Sequence, residues 1–195
     1  DNSSVTLIRG DNLFHGDFFV NKLQENYHLN VGATIFAYSV VNPERYGVLE
    51  FDSNGIAYNI EEKPRNPKSK FAITGLYFYD NTVVEKAKKI KPSSRGELEI
   101  TDLNKMYMKE GKLIVEKMNR GMTWLDTGTI DSLHEASSYI RSLEKRQGLK
   151  IGCPEEVAWR TGFIDDAKLY SLSLDLAKSG YGKYLQTILN ESKDS

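Results

Sequence analysis

Two aspartates stand where an apolar run meets a loop. Asp11 lies in Gly10-Asp11-Asn12, after the run Val5–Arg9, and Asp126 lies in Trp124-Leu125-Asp126-Thr127-Gly128-Thr129. Brought together, two such carboxylates form an all-oxygen site for a hard divalent cation such as Mg²⁺. A magnesium site on an α/β scaffold points to phosphate chemistry. Taken singly, each aspartate is explained equally by a turn or a helix N-terminus, where Asp is common. The pair, and what lies between its members, carries the functional reading.

The elements that must position them follow from hydrophobic pattern. Val5–Arg9 is a β-branched and apolar run that reads as a strand almost at once, so further residues are expected before Asp1. Asp17–His28 has Phe18, Phe19 and Leu23 at helical spacing. The nearly continuous run from Val31 to Val40 reads as a buried strand, broken by Asn42-Pro43. Tyr46–Asp52 and Ile56–Glu62 flank Ser53-Asn54-Gly55, a strong hairpin signal. Phe71–Tyr79 is a further strand. Helices are expected over Asn81–Ile90, capped by Asp80 or Asn81, and over Ile100–Glu110, closed by Gly111. Leu113–Met118 is a short strand, and Arg120–Asp126 leads into the second aspartate. From Thr129 the pattern becomes helical: residues 130–146, Glu155–Arg160, Asp165–Ala177 and Tyr181–Asn190. Strands separated by helices imply parallel pairing, with ligands at the carboxyl ends of strands, where Asp11 sits.

Composition narrows the function classes. The chain has 195 residues, enough for one domain with a sizeable core. Its 26 Lys and Arg against 27 Asp and Glu leave a net charge of -1, so no basic excess marks a nucleic-acid binder. Cys153 is the single cysteine, which excludes an intrachain disulfide and reads as a small buried apolar side chain. His15, His28 and His134 lack zinc-ligand spacing. No apolar run is long enough to span a membrane, and cytoplasm is the expected location.

Six motifs in order resemble the sugar-1-phosphate nucleotidylyltransferases, and within them the glucose-1-phosphate thymidylyltransferase group. They are Gly10-Asp11-Asn12 with Phe14-x-Gly16, Arg45-Tyr46-Gly47-Val48, Glu61-Glu62-Lys63-Pro64, Thr74-Gly75-Leu76-Tyr77-Phe78-Tyr79-Asp80, Arg95-Gly96-Glu97-Leu98-Glu99-Ile100-Thr101-Asp102, and the Trp124–Thr129 stretch. Together they span Val5 to Arg160. The resemblance implies a Rossmann-like nucleotide-diphospho-sugar transferase fold, an α/β fold with a mixed, mostly parallel sheet, flanking helices and a C-terminal helical tail. It divides the chain into a sugar-phosphate and metal half, residues 1–129, and a helical segment, residues 130–195, packed on the same domain.

The family's glycine-rich signature, G-x-G-T-R-L-x-P-x-T, does not occur in these 195 residues. That loop cradles the nucleotide triphosphate with backbone N–H groups. The expectation is therefore the C-terminal part of a longer enzyme, N-terminally incomplete and inactive alone. A smaller departure is Arg9, which stands where the family usually has an apolar residue.

What the resemblance implies about chemistry is Mg²⁺-dependent transfer from dTTP to α-D-glucose 1-phosphate, giving dTDP-glucose for deoxysugar and cell-surface polysaccharide routes such as the dTDP-rhamnose pathway. The sugar phosphate attacks the α-phosphorus in line, so positioning and electrostatics do most of the catalysis. Asp11 and Asp126 match the metal ligands and, with Lys63, the catalytic set. Asn12, Tyr46, Gly47, Glu62, Lys63, Gly75, Arg95 and Trp124 match substrate contacts. Lys63 is a point charge for phosphate and Glu62 an acceptor for sugar hydroxyls. Strand alternation would set those two on opposite sides, so the chain must bend near Lys63, with Pro64 as the expected cause. Ordinary readings compete: an Asx turn for Asn12, strand geometry for Gly47 and Gly75, a solvated arginine for Arg95, a core position for Trp124, a helix cap for Thr101. Gly16 with Glu155, Glu156 and Arg160 match a regulatory nucleotide site. A homo-oligomer, tetrameric by resemblance, is expected. Rival expectations are a catalytically silent sugar-phosphate-binding or assembly fragment, and a uridylyl- or cytidylyltransferase.

Overall fold

A computed structural model of the chain describes residues 3–16, 19–27 and 31–192. It falls into two compact units, Asp1–Leu133 and His134–Ser195. The first is mixed α/β. Its strands are β1 (Val5–Ile8), β2 (Asn12–Gly16), β3 (Ala33–Ser39), β4 (Gly47–Phe51), β5 (Ala57–Glu62), β6 (Phe71–Tyr79), β7 (Leu113–Lys117) and β8 (Met122–Asp126). Its helices are α1 (Phe19–Tyr27), α2 (Val83–Ala87) and α3 (Ile100–Lys109), and a 3₁₀ turn covers Pro43–Arg45. The expected helix Asp17–His28 becomes α1; Asp17, Phe18 and His28 lie outside the described residues.

The main sheet runs β5-β4-β6-β3-β7, with β1 also on β6. Strand β6 is apolar on both faces, and alternation divides it between two cores. Ile73, Tyr77 and Tyr79 point to the side where Leu103 and Tyr107 of α3 pack. Ala72, Leu76 and Phe78 point to the side of Met122 and Trp124, which belong to the two-stranded ribbon β2–β8.

The sheet is mixed, as expected, but a mostly parallel sheet is not what forms. Among the described pairings only β3–β7 is parallel; β1–β6, β3–β6, β4–β5 and β4–β6 are antiparallel. The reason is strand order: β6 runs opposite to all three of its neighbours, β1, β3 and β4, and the tight β4–β5 hairpin reverses the chain once more. The Asn54-Gly55 hairpin forms as read: Gly55 has φ of 79°, and Asp52 Oδ1 accepts from the N–H groups of Asn54 and Ile56 at 2.9 and 2.8 Å.

One edge of β6 positions the site. β3 covers the other edge from Phe71 to Tyr79. On the near edge β4 pairs at Phe71 and Ala72, and β1 takes over at Leu76 to Tyr79. Residues 73–75 face the switch between partners. There the chain leaves β1 through Arg9, Gly10 and Asp11 and enters β2.

The second unit holds most of α4 (Ile130–Gln147) together with α5 (Pro154–Arg160), α6 (Asp166–Asp175) and α7 (Gly180–Glu191). Its core joins Cys153, Leu169, Tyr184, Leu185, Ile188 and Leu189. Asp165 caps α6, accepting from the Lys168 N–H at 2.8 Å, and Ser179 is the N-cap of α7. The units divide after Leu133, inside α4, rather than at 129.

Candidate active site

The two aspartates come together through the ribbon. In the β2–β8 ladder Asn12 lies directly opposite Asp126. One residue further, Thr127 donates its N–H to the Asp11 carbonyl at 2.7 Å. Asp11 and Asp126 therefore sit at the same end of the ribbon, with Gly128 between them. A Cβ placed on Gly128 would lie 3.6 Å from Asp11 Oδ2 and 3.7 Å from Asp126 Oδ2. Those two hard oxygens face one open space, a donor set that suits a magnesium ion taking its remaining ligands from phosphate and water. Among the described residues no group of three or more His, Cys, Asp or Glu forms a metal-holding cluster, so any all-protein metal cage is absent there.

Asn12 fixes this geometry from inside. Its Oδ1 accepts from the Gly75 N–H at 2.8 Å and from the Trp124 indole at 2.6 Å, while its amide donates to Asp11 Oδ1 at 2.7 Å. A Cβ on Gly75 would stand 2.5 Å from Asn12 Oδ1. The close approach that Gly75 permits is thus to Asn12, and Gly75 itself does not line the cavity. Trp124 is both a core residue, 6% exposed, and part of the cavity wall.

The opposite wall comes from β4 and β5. Gly47 pairs with Glu62, and the Lys63 N–H returns to the Tyr46 carbonyl at 3.0 Å. A Cβ at Gly47 would meet the Thr101 γ-methyl at 2.7 Å. The bend expected near Lys63 is present, and it sits in Lys63 itself: φ is 42°, the left-handed region, where no other non-glycine among the described residues is found. Pro64 follows the bend rather than making it. Lys63 lines the cavity, and no salt bridge from it is found among the described residues.

Tyr46 and Arg45 connect the two walls. The Tyr46 phenol donates to Asp126 Oδ1 at 2.6 Å, and Arg45 donates to Asp126 Oδ2 at 3.2 Å. The Tyr46 ring stands 5.0 Å from that of Trp124. Burial first, then the bond to Asp126, pushes the phenol up to about 12. Burial and, next, repulsion from Glu99 hold the Glu62 carboxyl above its usual range.

The result is a cavity of about 670 Å³ lined by Asp11, Asn12, Tyr46, Gly47, Glu62, Lys63, Trp124 and Asp126 among others. Arg95 is not among its lining residues. Its guanidinium meets Glu97 at 2.6 Å, Glu99 at 3.5 Å and Glu62 at 3.6 Å, so its charge is spent on carboxylates. Residues to which the sequence reading gave no role also line the cavity: Arg9, Arg45, Tyr77, Glu97, Glu99 and Gly128. Arg45, Tyr77, Glu97, Glu99 and Gly128 all stand inside the six motifs, which was the available signal; Arg9 lies outside them and needed the fold. Arg9 is 57% exposed at its side chain and paired with Asp11, so it carries no burial cost.

The remaining candidates are divided between the two units. Gly16 ends β2 in the first unit, at φ of 138°, where a Cβ would strike the Gly121 carbonyl at 2.3 Å. Glu155, Glu156 and Arg160 lie on α5 in the second unit. Glu156 accepts from Arg160 Nε at 2.8 Å and from the Tyr184 phenol; Glu155 accepts from the Tyr181 phenol. Cys153, 2% exposed, is a buried core thiol that accepts from Tyr181 at 3.0 Å.

Comparison with known proteins agrees with this geometry. Residues 1–142 match the family model described as Nucleotidyl transferase. A glucose-1-phosphate thymidylyltransferase of Neisseria meningitidis is 53% identical over 190 residues, covering 97% of this chain and 66% of the relative. That of Mycolicibacterium smegmatis is also 53% identical, over 97% of this chain and 65% of its own length. The chain thus spans about two thirds of the length of these curated relatives. Among solved structures, a Bacillus anthracis protein bearing the glucose-1-phosphate thymidylyltransferase designation, in complex with a sucrose, superposes with a TM-score of 0.63 at 38% identity. It covers 78% of this chain and 58% of that one. A UDP-glucose pyrophosphorylase complexed with UDP-glucose, at 20% identity and a TM-score of 0.61 over 72% of this chain and 57% of that one, shares the fold. The chain belongs to the nucleotidyl transferase family.

Proposed function

We propose that this nucleotidyl transferase chain carries the sugar-phosphate and metal half of a Mg²⁺-dependent glucose-1-phosphate thymidylyltransferase, which joins dTTP to α-D-glucose 1-phosphate and releases pyrophosphate. One observation carries the reading: a single cavity gathers Asp11 and Asp126 on one wall and Tyr46, Gly47, Glu62 and Lys63 on the other. The names of the relatives supply the substrates.

In this reading Lys63 takes the sugar phosphate, and its fixed backbone aims the ammonium into the cavity. Glu62 accepts hydrogen bonds from sugar hydroxyls. Gly47 leaves room for the ring beside it. Tyr46 holds Asp126 in place, and Asn12 does the same for Asp11. Arg95 keeps Glu62, Glu97 and Glu99 together instead of meeting phosphate. When bound, Mg²⁺ supplies the positive charge that lets two polyanions meet and offsets the charge of the leaving pyrophosphate. Asp11 and Asp126 would hold it. The attacking oxygen already belongs to a phosphate, so no protein nucleophile is required. The glycine-rich signature that would cradle the triphosphate is supplied by sequence not contained in these 195 residues. A role for Gly16, Glu155, Glu156 and Arg160 in a regulatory nucleotide site, packing of the helical segment on the catalytic domain, a tetramer and a cytoplasmic location belong to the same reading. Among the described residues no helix is long and apolar enough to cross a membrane.

Pyrophosphate release with dTTP, glucose 1-phosphate and Mg²⁺ tests it, using this chain and a version extended by its native upstream sequence. Turnover by the extended form alone is expected, with dTTP preferred over UTP and CTP. Silence of both forms with every nucleotide would overturn it. The second reading is a sugar-phosphate-binding or assembly fragment without catalysis, which the cavity shared by Glu62 and Lys63 would equally serve. Turnover by the 195-residue chain alone would refute that alternative.

A further inference from the structure

Arg9 is placed against the metal pair in a way that the proposed reaction does not use. Its Nη2 donates to Asp11 Oδ2 at 2.7 Å. That oxygen is the one facing the space over Gly128, 3.6 Å from the Cβ position there. The Asp126 oxygen facing the same space is Oδ2, which Arg45 meets at 3.2 Å. Both oxygens that would take a cation already hold a guanidinium. The two arginines differ, however. Arg45 belongs to a matched motif and lies with its Cζ 5.4 Å from the Tyr46 ring centroid, which anchors it. Among the described residues Arg9 has no such anchor, and its side chain is more than half exposed.

We propose that Arg9 is a built-in counter-ion of Asp11, which a divalent cation must displace from the carboxylate oxygen it would occupy. This rests on reading Asp11 and Asp126 as the metal pair. A guanidinium and a divalent cation on the same oxygen repel each other, so the cation binds only as Arg9 swings away. Because the side chain is mostly in water, its release costs little desolvation, and the exchange is governed by charge. The consequence is a metal requirement set higher than Asp11 and Asp126 alone would impose, and strongly dependent on ionic strength.

Manganese(II) binding, followed by the electron paramagnetic resonance of the free ion, tests this without turnover. Arg9→Leu and Arg9→Gln are expected to tighten the dissociation constant by about three- to tenfold at low salt, with Arg9→Lys in between. The gap should shrink as sodium chloride is raised toward 0.5 M, roughly where screening reaches contact distance. Thermal unfolding checks that each variant folds. Equal or weaker binding by both Arg9→Leu and Arg9→Gln overturns the proposal. If the unmodified protein binds manganese, Asp126→Asn does not, and the Arg9 variants match the unmodified protein, the metal pair stands and the counter-ion falls. If Asp126→Asn binds like the unmodified protein, or no form binds in the millimolar range, both fall together.

Discussion

The phenol of Tyr46 donates to Asp126 Oδ1 at 2.6 Å, so a residue assigned to the sugar wall holds a residue assigned to the metal wall. With its titration pushed up to about 12, the phenol remains a donor across the whole working range of pH. The bond fixes which Asp126 oxygen is left to face Gly128. Tyr46→Phe keeps the ring against Trp124 and removes only the donor. The expected outcome is a loss of about tenfold in manganese affinity, the usual scale for removing a group that orients a metal ligand. Stability should fall by about 1 kcal/mol. Titration of manganese and urea unfolding on the same variant check the two figures; unchanged manganese affinity would detach Tyr46 from the metal site.

Gly128 separates folding from metal binding more sharply. Its φ is not in the left-handed region, and an added Cβ meets its neighbours at 3.6 and 3.7 Å, ordinary contact distances. Gly128→Ala should therefore fold with stability within about 0.5 kcal/mol of the parent. The methyl would nevertheless occupy the space that both Oδ2 atoms face. Manganese affinity is expected to drop by an order of magnitude or more while the melting temperature stays put. A variant that binds manganese normally would mean that the two carboxylates do not share a cation.

Much of this site could be seen before any coordinates. The six motifs named Asp11, Asp126, Tyr46, Gly47, Glu62 and Lys63, and all six line one cavity. The hairpin at Asn54-Gly55 and the helices of the second unit were legible because turn chemistry and helical spacing are local signals. What was not legible is long-range. The ribbon strand β2 was missed because Asn12-Leu-Phe-His-Gly has no β-branched residue and no clean alternation, so it does not declare itself without β8 opposite. The antiparallel course of the sheet depends on β6 inserting between β3 and β4 and opposing both, a long-range placement that local pattern does not reveal. Arg95 was read as either a phosphate contact or a solvated arginine; Glu97 and Glu99 are its near neighbours in sequence, and the fold brings Glu62 to them. Asn12 was read as a substrate contact; the fold adds that its Oδ1 accepts from Gly75 and Trp124 while one amide N–H goes to Asp11.

Glu62 should reveal itself in the pH dependence of stability. Burial, then Glu99, raises its folded titration above the ordinary range of a glutamate. The folded protein therefore holds this proton more tightly than the unfolded chain. Its contribution to stability is fully present below the unfolded value and is lost as pH rises through the folded one. Glu62→Gln removes that loss. The variant is expected to gain stability relative to the parent as pH goes from 4 to 7, and to bind glucose 1-phosphate more weakly, since a carboxylate acceptor for hydroxyls has gone. Unfolding free energies at several pH values give the first result, and calorimetry the second. A constant difference between variant and parent across that range would show that Glu62 titrates normally.

Lys63 allows charge and backbone strain to be told apart. A non-glycine at φ of 42° costs roughly 1–2 kcal/mol, a strain that glycine does not carry. Glycine also adds about 0.4–1 kcal/mol of unfolded-chain entropy to be lost. Lys63→Gly should thus be close to neutral in stability, and Lys63→Ala should keep the strain and the parent's stability. Both delete the ammonium. If charge is what matters, both lose at least about tenfold in affinity for glucose 1-phosphate, the scale of a hydrogen bond to a charged group, and neither changes affinity for glucose lacking the phosphate. Lys63→Arg keeps the charge and should retain part of the binding. Retention of full affinity by Lys63→Ala, with loss only in Lys63→Gly, would instead show that the bend organises the wall and that the ammonium does not meet the phosphate.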